Sequence, residues 1–387
     1  MPAPPERSRP ERIRVGILGL GAVAQAVHLP LIERLRDAFE IHAIADVSPG
    51  LVAELGERYR VPPARRATSL EALLDVSGVE ALVVMTSGSH GAAVQAGLAR
   101  DMAVFAEKPL AFTLAEADAI AAQLEAGQSR RLQVGYMKLS DPAVVRALAL
   151  AADEEVGAVR ALEVTVLHPT SEAQLAFARL LPPPTDVPAA IRERFAAETD
   201  GLRRAALGDA AAATYGRLYS DVVLGSIVHE LSLVRAFAAD PVAIDSLVTW
   251  PADTWPPSVE LTGRLPRDGR LSIRWHFLPD YPDYREEVRV VYEAATTELS
   301  FPAPYLLHRP TILRHTHARG GGRQDDVWTS TAEAFEEELL AFHAYVVDGR
   351  QPPAGLREGR ADIVTSQSAI AAAARASGIE IGGEAAG

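Results

Sequence analysis

The chain has 387 residues, too many for one ordinary domain and comfortable for two. Its formal net charge of −13 excludes a phosphate-backbone footprint, so no nucleic-acid partner is expected. It has no cysteine, which excludes disulfides, thiolate metal sites and a cysteine nucleophile.

No stretch approaches the roughly 18–20 unbroken apolar residues that a membrane span needs. The start, MPAPPERSRPER, is basic but has no apolar core behind it, so no signal peptide is expected. With the missing cysteines this fits a reducing compartment, and a cytoplasmic protein with no membrane partner is expected. Residues 1–11 read as a disordered tail.

IRVGIL (13–18) is a β-branched apolar run followed by glycines and a helical period to about Leu35. IHAIAD (41–46) is a second strand. Helices follow at 51–59 and about 69–75, then EALVVMT (80–86), a helix near 91–99 and the strand MAVFAE (102–107). An amphipathic helix, 114–127, ends at glycine, and RLQVGYM (131–137) is one more strand. Strands alternating with helices predict a doubly wound parallel sheet, a Rossmann domain over residues 12–145.

The pattern then changes. ALEVTVL (161–167) reads as a strand, and a helical segment spans about 172–219, interrupted by LPPPTDVP (181–188). A helix to about Ala238 precedes five successive strands: IDSLVTW, VELTGRL, RLSIRWHFL, EEVRVVY and TTELSF. Consecutive strands predict a large, mostly antiparallel sheet covered by helices on one side, so the fold class is α/β with a second α/β domain over 146–387. His315 and His317 precede a glycine-rich segment, ARGGGR, read as a mobile loop carrying a surface pair. Two helices, 331–349 and 357–378, close the chain.

Gly19-Leu20-Gly21-Ala22-Val23-Ala24 is GxGxxA between a strand and a helix. Glycines there let the backbone approach a pyrophosphate, and the helix N-terminus faces the anion. Asp46 ends the second strand roughly 25 residues later, where an acid holds ribose hydroxyls. An acid there repels a 2′-phosphate, and no arginine follows in ADVSPG, so NAD(H) is favoured over NADP(H). The histidines are scattered without HxxxH or HExxH spacing, and no metal site is expected.

GLGAVAQAVHLP (19–30), Thr86 with SGSH, EKPLA (107–111), VGYMKLSDPA (134–143) and GSIVHELSLVRAF (225–237) follow in the order of the Gfo/Idh/MocA oxidoreductases, which the chain resembles over roughly 12–380. That resemblance implies a Rossmann domain and an antiparallel-sheet domain that mediates a homodimer or homotetramer. It implies hydride transfer between NAD(P) and a hydroxyl or carbonyl carbon of a sugar, cyclic polyol or glycosylated intermediate. Two other outcomes stay open: a bound cofactor with a net elimination, hydrolysis or epimerisation, and a binding or regulatory homologue.

By the same resemblance Lys108 orients the reacting oxygen and moves its proton, Glu107 and Pro109 shape the cofactor pocket, and Thr86, Ser87 and His90 lie along the cofactor. His229 is the second catalytic candidate. The family pattern DxGxHxxD is altered here: Gly225 stands for the first aspartate, Ile227 for the glycine and Ser232 for the last acid. Glu230 adjoins His229 but points about 100° around the helix, and is not assigned as its partner. Tyr136 is a third catalytic candidate, and strand alternation would put it on one face with Lys138. Lys138, His168, Ser232 and His276 are candidate substrate contacts. The 172–219 insert is expected to roof the substrate pocket.

Overall fold

The computed structural model describes residues 11–127, 131–239, 242–307 and 309–387; the expected tail, residue 11 apart, lies outside them. Six parallel strands form the first sheet: β1 (Ile13–Leu18), β2 (Phe39–Ala45), β3 (Arg66–Ala67), β4 (Ala81–Val84), β5 (Ala103–Glu107) and β6 (Arg131–Gly135). Their order is β3-β2-β1-β4-β5-β6. Helices cover both faces, which is why Val15, Ile17, Leu82, Val104 and Phe105 are all buried and these strands read as unbroken apolar runs. The strand order reverses between β1 and β4, and ligands of such sheets bind outside the strand ends at that point.

Eight strands form the second sheet: β7 (Val159–His168), β8 (Ala243–Trp250), β9 (Ser258–Arg264), β10 (Arg270–Phe277), β11 (Arg285–Tyr292), β12 (Ala295–Phe301), β13 (Ile312–Arg319) and β14 (Gly322–Trp328). They run β14-β13-β12-β11-β7-β10-β9-β8 and are antiparallel except for β7 beside β10. One face buries Leu162, Val164, Ile273, Val288 and Val290. Helices Pro142–Ala151, Val228–Ala238 and Leu356–Ala376 contact this sheet. The other face carries cross-strand ion pairs, with Arg289 3.9 Å from Glu163 and 3.6 Å from Glu298.

The expected mobile loop after His317 is instead the β13–β14 hairpin, turned at Gly320 and Gly321, whose φ of +60° and +81° suit glycine. His315 is buried beside Thr297, Nδ1 to Oγ1 3.0 Å, so the two histidines are no surface pair. An edge hairpin rich in Arg, His and Asp shows no apolar alternation, which hid it from the sequence.

The insert begins with a short helix, Ser171–Leu175, continues through the proline-rich segment, and forms helices Ala189–Leu207 and Asp209–Arg217. A π-helical stretch, Leu218–Ile227, then leads into Val228–Ala238. Gly208 separates the two insert helices at φ +75°, and a Cβ there would meet Gly382 Cα at 2.6 Å. Two residues on, Glu384 accepts from Leu114 N (2.7 Å) and Ala115 N (2.9 Å), capping helix Leu114–Glu125, and from Gln367 Nε2 (2.8 Å). The C-terminal segment thus ties the insert to the first domain.

Candidate active site

The glycine loop follows β1. Gly19 has φ +92°, and a Cβ on it would lie 2.7 Å from the Met85 carbonyl. A Cβ on Gly21 would meet nothing within 4 Å, because that face opens onto a groove of about 1400 Å³ also lined by Gly19, Asp46, Thr86 and Ser87. A nicotinamide dinucleotide fits this cradle: open space at Gly21, a helix start behind it and a carboxylate at the end of β2. Ala22 and Val23 border the adjoining cleft, while Ala24 is buried. Asp46 accepts from Leu20 N (2.8 Å) and Ser48 N (2.9 Å), so it also holds the loop in shape.

The groove meets a cleft of about 850 Å³ at the end of β5, lined by Glu107, Lys108 and Pro109. The Lys108–Pro109 peptide is cis. Glu107 faces inward and takes a 2.7 Å bond from His28 Nε2, a fully buried ring edge-on to Phe105 and Phe335. Burial pushes the Glu107 carboxyl up, but the bond from His28 and the charges of His28 and Lys108 outweigh it and hold the group below its ordinary value. His28 lies within the AVHLP run but had no assigned role. Lys108 Nζ donates to the Gly225 carbonyl at 2.7 Å. Burial lowers the Lys108 pKa, opposed by Glu107 and Glu230.

His229 and Glu230 both line this cleft. The sequence reading separated them by 100° of helix rotation. They occupy the first turn of Val228–Ala238, and the cleft is broad enough for both to line it in spite of that rotation. His229 Nδ1 is buried without a hydrogen-bond partner, and burial together with the Lys108 and Lys138 charges holds the ring well below its ordinary pKa, hence neutral. Glu230 is buried; Oε1 accepts from Lys138 Nζ at 2.8 Å and Oε2 has no partner. Burial pushes its carboxyl up to about 7 against the pull of Lys138.

Lys138 lines the cleft but is held by Glu230 and by both Glu286 oxygens, at 2.5 and 2.7 Å, with Tyr284 Oη donating to Glu286 at 2.6 Å. These carboxylates more than offset the burial penalty and keep the ammonium charged above its usual range. Aromatic residues line much of the cleft wall: Trp275, Phe277, Tyr284, Tyr305 and Trp255. His168 ends β7 against it, its ring centroid 5.0 Å from that of Trp275, with Nδ1 donating to Pro169 O at 2.6 Å. Burial lowers its pKa, so Nε2 is the ring's acceptor.

Other candidates lie away from the cleft. Tyr136 is fully buried and donates to Asp362, which also takes a bond from Arg235. β6 stops at Gly135 and Met137–Ser140 is helical, so strand alternation does not carry to Lys138 and the two side chains part. Ser232 is buried and donates to the His229 carbonyl at 2.7 Å. His276 alternates with Trp275 on β10, and only Trp275 faces the cleft, its indole donating to Ser226 Oγ at 3.0 Å. His276 instead meets Trp250, with centroids 5.7 Å apart. His90 is buried beneath the β4 turn, Nε2 2.7 Å from Thr86 O, and supports the turn that Thr86 and Ser87 present. The insert divides: Ser171, Glu172 and Gln174 border the cleft, whereas helix Ala189–Leu207 lies over the dinucleotide groove, through Ile191, Arg194, Phe195 and Leu202, and borders the cleft at Thr199.

A glycine-loop groove opens onto a cleft holding a lysine, a histidine and a glutamate, beside a sheet of Rossmann topology. Residues 13–136 match the model of the GFO_IDH_MocA oxidoreductase family, which has an NAD-binding Rossmann fold. Over 134 residues it is 35% identical to an inositol 2-dehydrogenase of Paracoccus denitrificans, covering 34% of this chain and 39% of that one. The chain therefore spans well under half of the length of the curated relatives it matches. In fold it is similar to an aldose-aldose oxidoreductase from Caulobacter crescentus, with TM-score 0.70, 18% identity and coverage of 95% and 98%. It is similarly close to a 3-ketoreductase from Actinomadura kijaniata in complex with NADP, with TM-score 0.69, 15% identity and coverage of 94% and 98%. Among the described residues, no helix is long and apolar enough to cross a membrane.

Proposed function

We propose that this protein is an NAD(P)-dependent oxidoreductase that moves a hydride at a hydroxyl or carbonyl carbon of a sugar or cyclic polyol. The observation that carries the reading is the meeting of Lys108, His229 and Glu230 in a cleft continuous with the glycine-loop groove. The family match and the inositol dehydrogenase relatives support it. Bound nicotinamide would supply the hydride chemistry. The chain's own residues handle orientation and the proton.

Lys108 holds the substrate oxygen and stabilises alkoxide character there. The neutral His229 imidazole exchanges the hydroxyl proton, with its unpartnered Nδ1 or with the ring nitrogen opposite. Glu230 takes the role of the acid missing at Gly225: it is ionisable near neutral pH, lies in the same cleft and is coupled to Lys108 by charge. The aromatic wall suits the apolar face of a sugar ring. Since the longest insert helix covers the cofactor groove, the insert offers little basis for a substrate much larger than a sugar. Asp46 favours NAD over NADP. Self-association through the open face of the eight-stranded sheet belongs to the same reading and is measured by light scattering.

A second reading keeps the cofactor bound through a net non-redox cycle. The helix lying over the groove favours it, because such a roof slows cofactor exchange. The deciding experiment incubates the purified full chain with inositols, aldoses and nucleotide sugars, with and without added NAD⁺. Appearance of reduced nicotinamide supports the dehydrogenase. Turnover without added cofactor, plus nicotinamide released on denaturation, supports the second reading. Turnover that persists unchanged in Lys108→Ala refutes both.

A further inference from the structure

The proline-rich segment of the insert is tied down at both ends against the nucleotide fold. Leu181 N donates to Gln25 Oε1 at 3.0 Å, and Gln25 Nε2 in turn donates to Leu20 O at 2.9 Å. Five residues further, Asp186 takes a 2.6 Å bond from Ser48 Oγ and a 2.7 Å bond from Gly50 N. Ser48 is the N-cap of helix Pro49–Arg58, where its Oγ also accepts from Leu51 N at 3.1 Å. A carboxylate from a distant part of the chain therefore sits on the positive end of the helix that follows β2.

That position has a defined meaning in a dinucleotide fold. The acid ending the second strand meets the adenosine ribose, and a 2′-phosphate, where present, lies against the turn just after it. Here the turn is Asp46 to Gly50. Two donors of this turn, the Ser48 hydroxyl and the Gly50 amide, are both taken by Asp186. Asp46 is already bonded to the Leu20 and Ser48 amides. A 2′-phosphate against this turn would find these two donors occupied and two carboxylates, Asp46 and Asp186, both bonded to Ser48. Asp186 itself is held below its ordinary pKa, by the Ser48 hydroxyl first and the Gly50 amide next, so it is ionised at neutral pH.

We propose that Asp186 is a specificity-determining residue, which excludes NADP by occupying the place and the hydrogen-bond donors of the 2′-phosphate. This rests on the dinucleotide reading of the groove above. It adds a determinant that the first domain does not contain, since the residue comes from the insert.

The test titrates NADH and NADPH into the full chain by nicotinamide fluorescence, for wild type, Asp186→Asn and Asp186→Ala. The wild type should bind NADH at least about 10-fold more tightly than NADPH, as expected for like charges juxtaposed in a site. Both variants should tighten NADPH about 10-fold or more while changing NADH less than about threefold. The Asn variant is isosteric and keeps the Gly50 amide bond through its remaining oxygen, with its NH2 against the Ser48 hydroxyl, so it remains informative if Ala loosens the segment. The proposal is overturned if the NADH-to-NADPH ratio is the same in all three proteins, or if the wild type prefers NADPH. If wild type binds neither cofactor, the dinucleotide reading itself falls, a result distinct from an unchanged ratio.

Discussion

Lys108 Nζ lies 2.7 Å from the main-chain carbonyl of Gly225, so a backbone dipole stands where the resembled family places an aspartate. The lysine keeps a hydrogen-bond acceptor but has lost a negative charge beside it. Burial then dominates and lowers its pKa.

Restoring the charge should reverse that shift. In Gly225→Asp a carboxylate beside Lys108 favours the ammonium form, so the basic limb of the pH–rate profile should move up by about one unit. The new Cβ meets Ser220 O at 3.2 Å, a contact that needs only a small local adjustment. A limb that stays in place would show that Lys108 is not the titrating group.

Glu230→Gln should lower kcat by about 100-fold and remove a rise in activity with pH centred near 7. Stability gives an independent readout. The folded value, about 7, lies above the ordinary 4.5, so the folded chain binds this proton more tightly than the unfolded chain does. Wild-type stability should therefore fall as pH rises between those values, by up to about 3 kcal/mol. Denaturant unfolding of the Gln variant should lack that slope.

Tyr136→Phe should leave kcat within about threefold and cofactor affinity unchanged, because its hydroxyl serves Asp362 away from the cleft. It should cost about 1.5–3 kcal/mol in urea unfolding, the loss expected for a buried hydrogen bond to a charged group. A large drop in kcat with stability intact would return the tyrosine to the chemistry.

Trp275 and His276 are neighbours in sequence and face opposite sides of β10. Trp275→Phe removes the indole N–H held by Ser226 and trims the cleft wall. It should raise the sugar KM several-fold, about 1 kcal/mol of lost contact. His276→Ala should leave KM and kcat alone. Steady-state kinetics on the two variants side by side would expose a wrong assignment of faces.

The parallel sheet was legible because its strands are buried on both sides and announce themselves as apolar runs. The glycine loop was legible because it joins a strand to a helix, and Lys108 because charge has no place in such a strand except at its end. What escaped depended on local geometry that periodicity does not encode. Tyr136 and Lys138 separate because the strand stops one residue before Tyr136. Glu230 joins His229 because the cleft is wide enough to be lined by two residues about 100° apart on one helix. A histidine suggests chemistry and so points to His276, although the register of β10 turns Trp275 to the cleft. The insert's helices were visible in composition, but which mouth they cover is decided by tertiary anchors at Ser48, Gln25 and Gly382.

Those anchors also bear on the order in which a growing chain becomes competent. The six parallel strands are encoded within residues 13–135 and can assemble while translation continues. The covering helix Ala189–Leu207 ends against Gly382, and Glu384 bridges to Leu114 and Ala115. Until the ribosome has released those late residues, the nascent protein holds a nucleotide platform without its cover. A dinucleotide met before residues 382–384 emerge would meet an open shelf, and the groove gains its cover only after them.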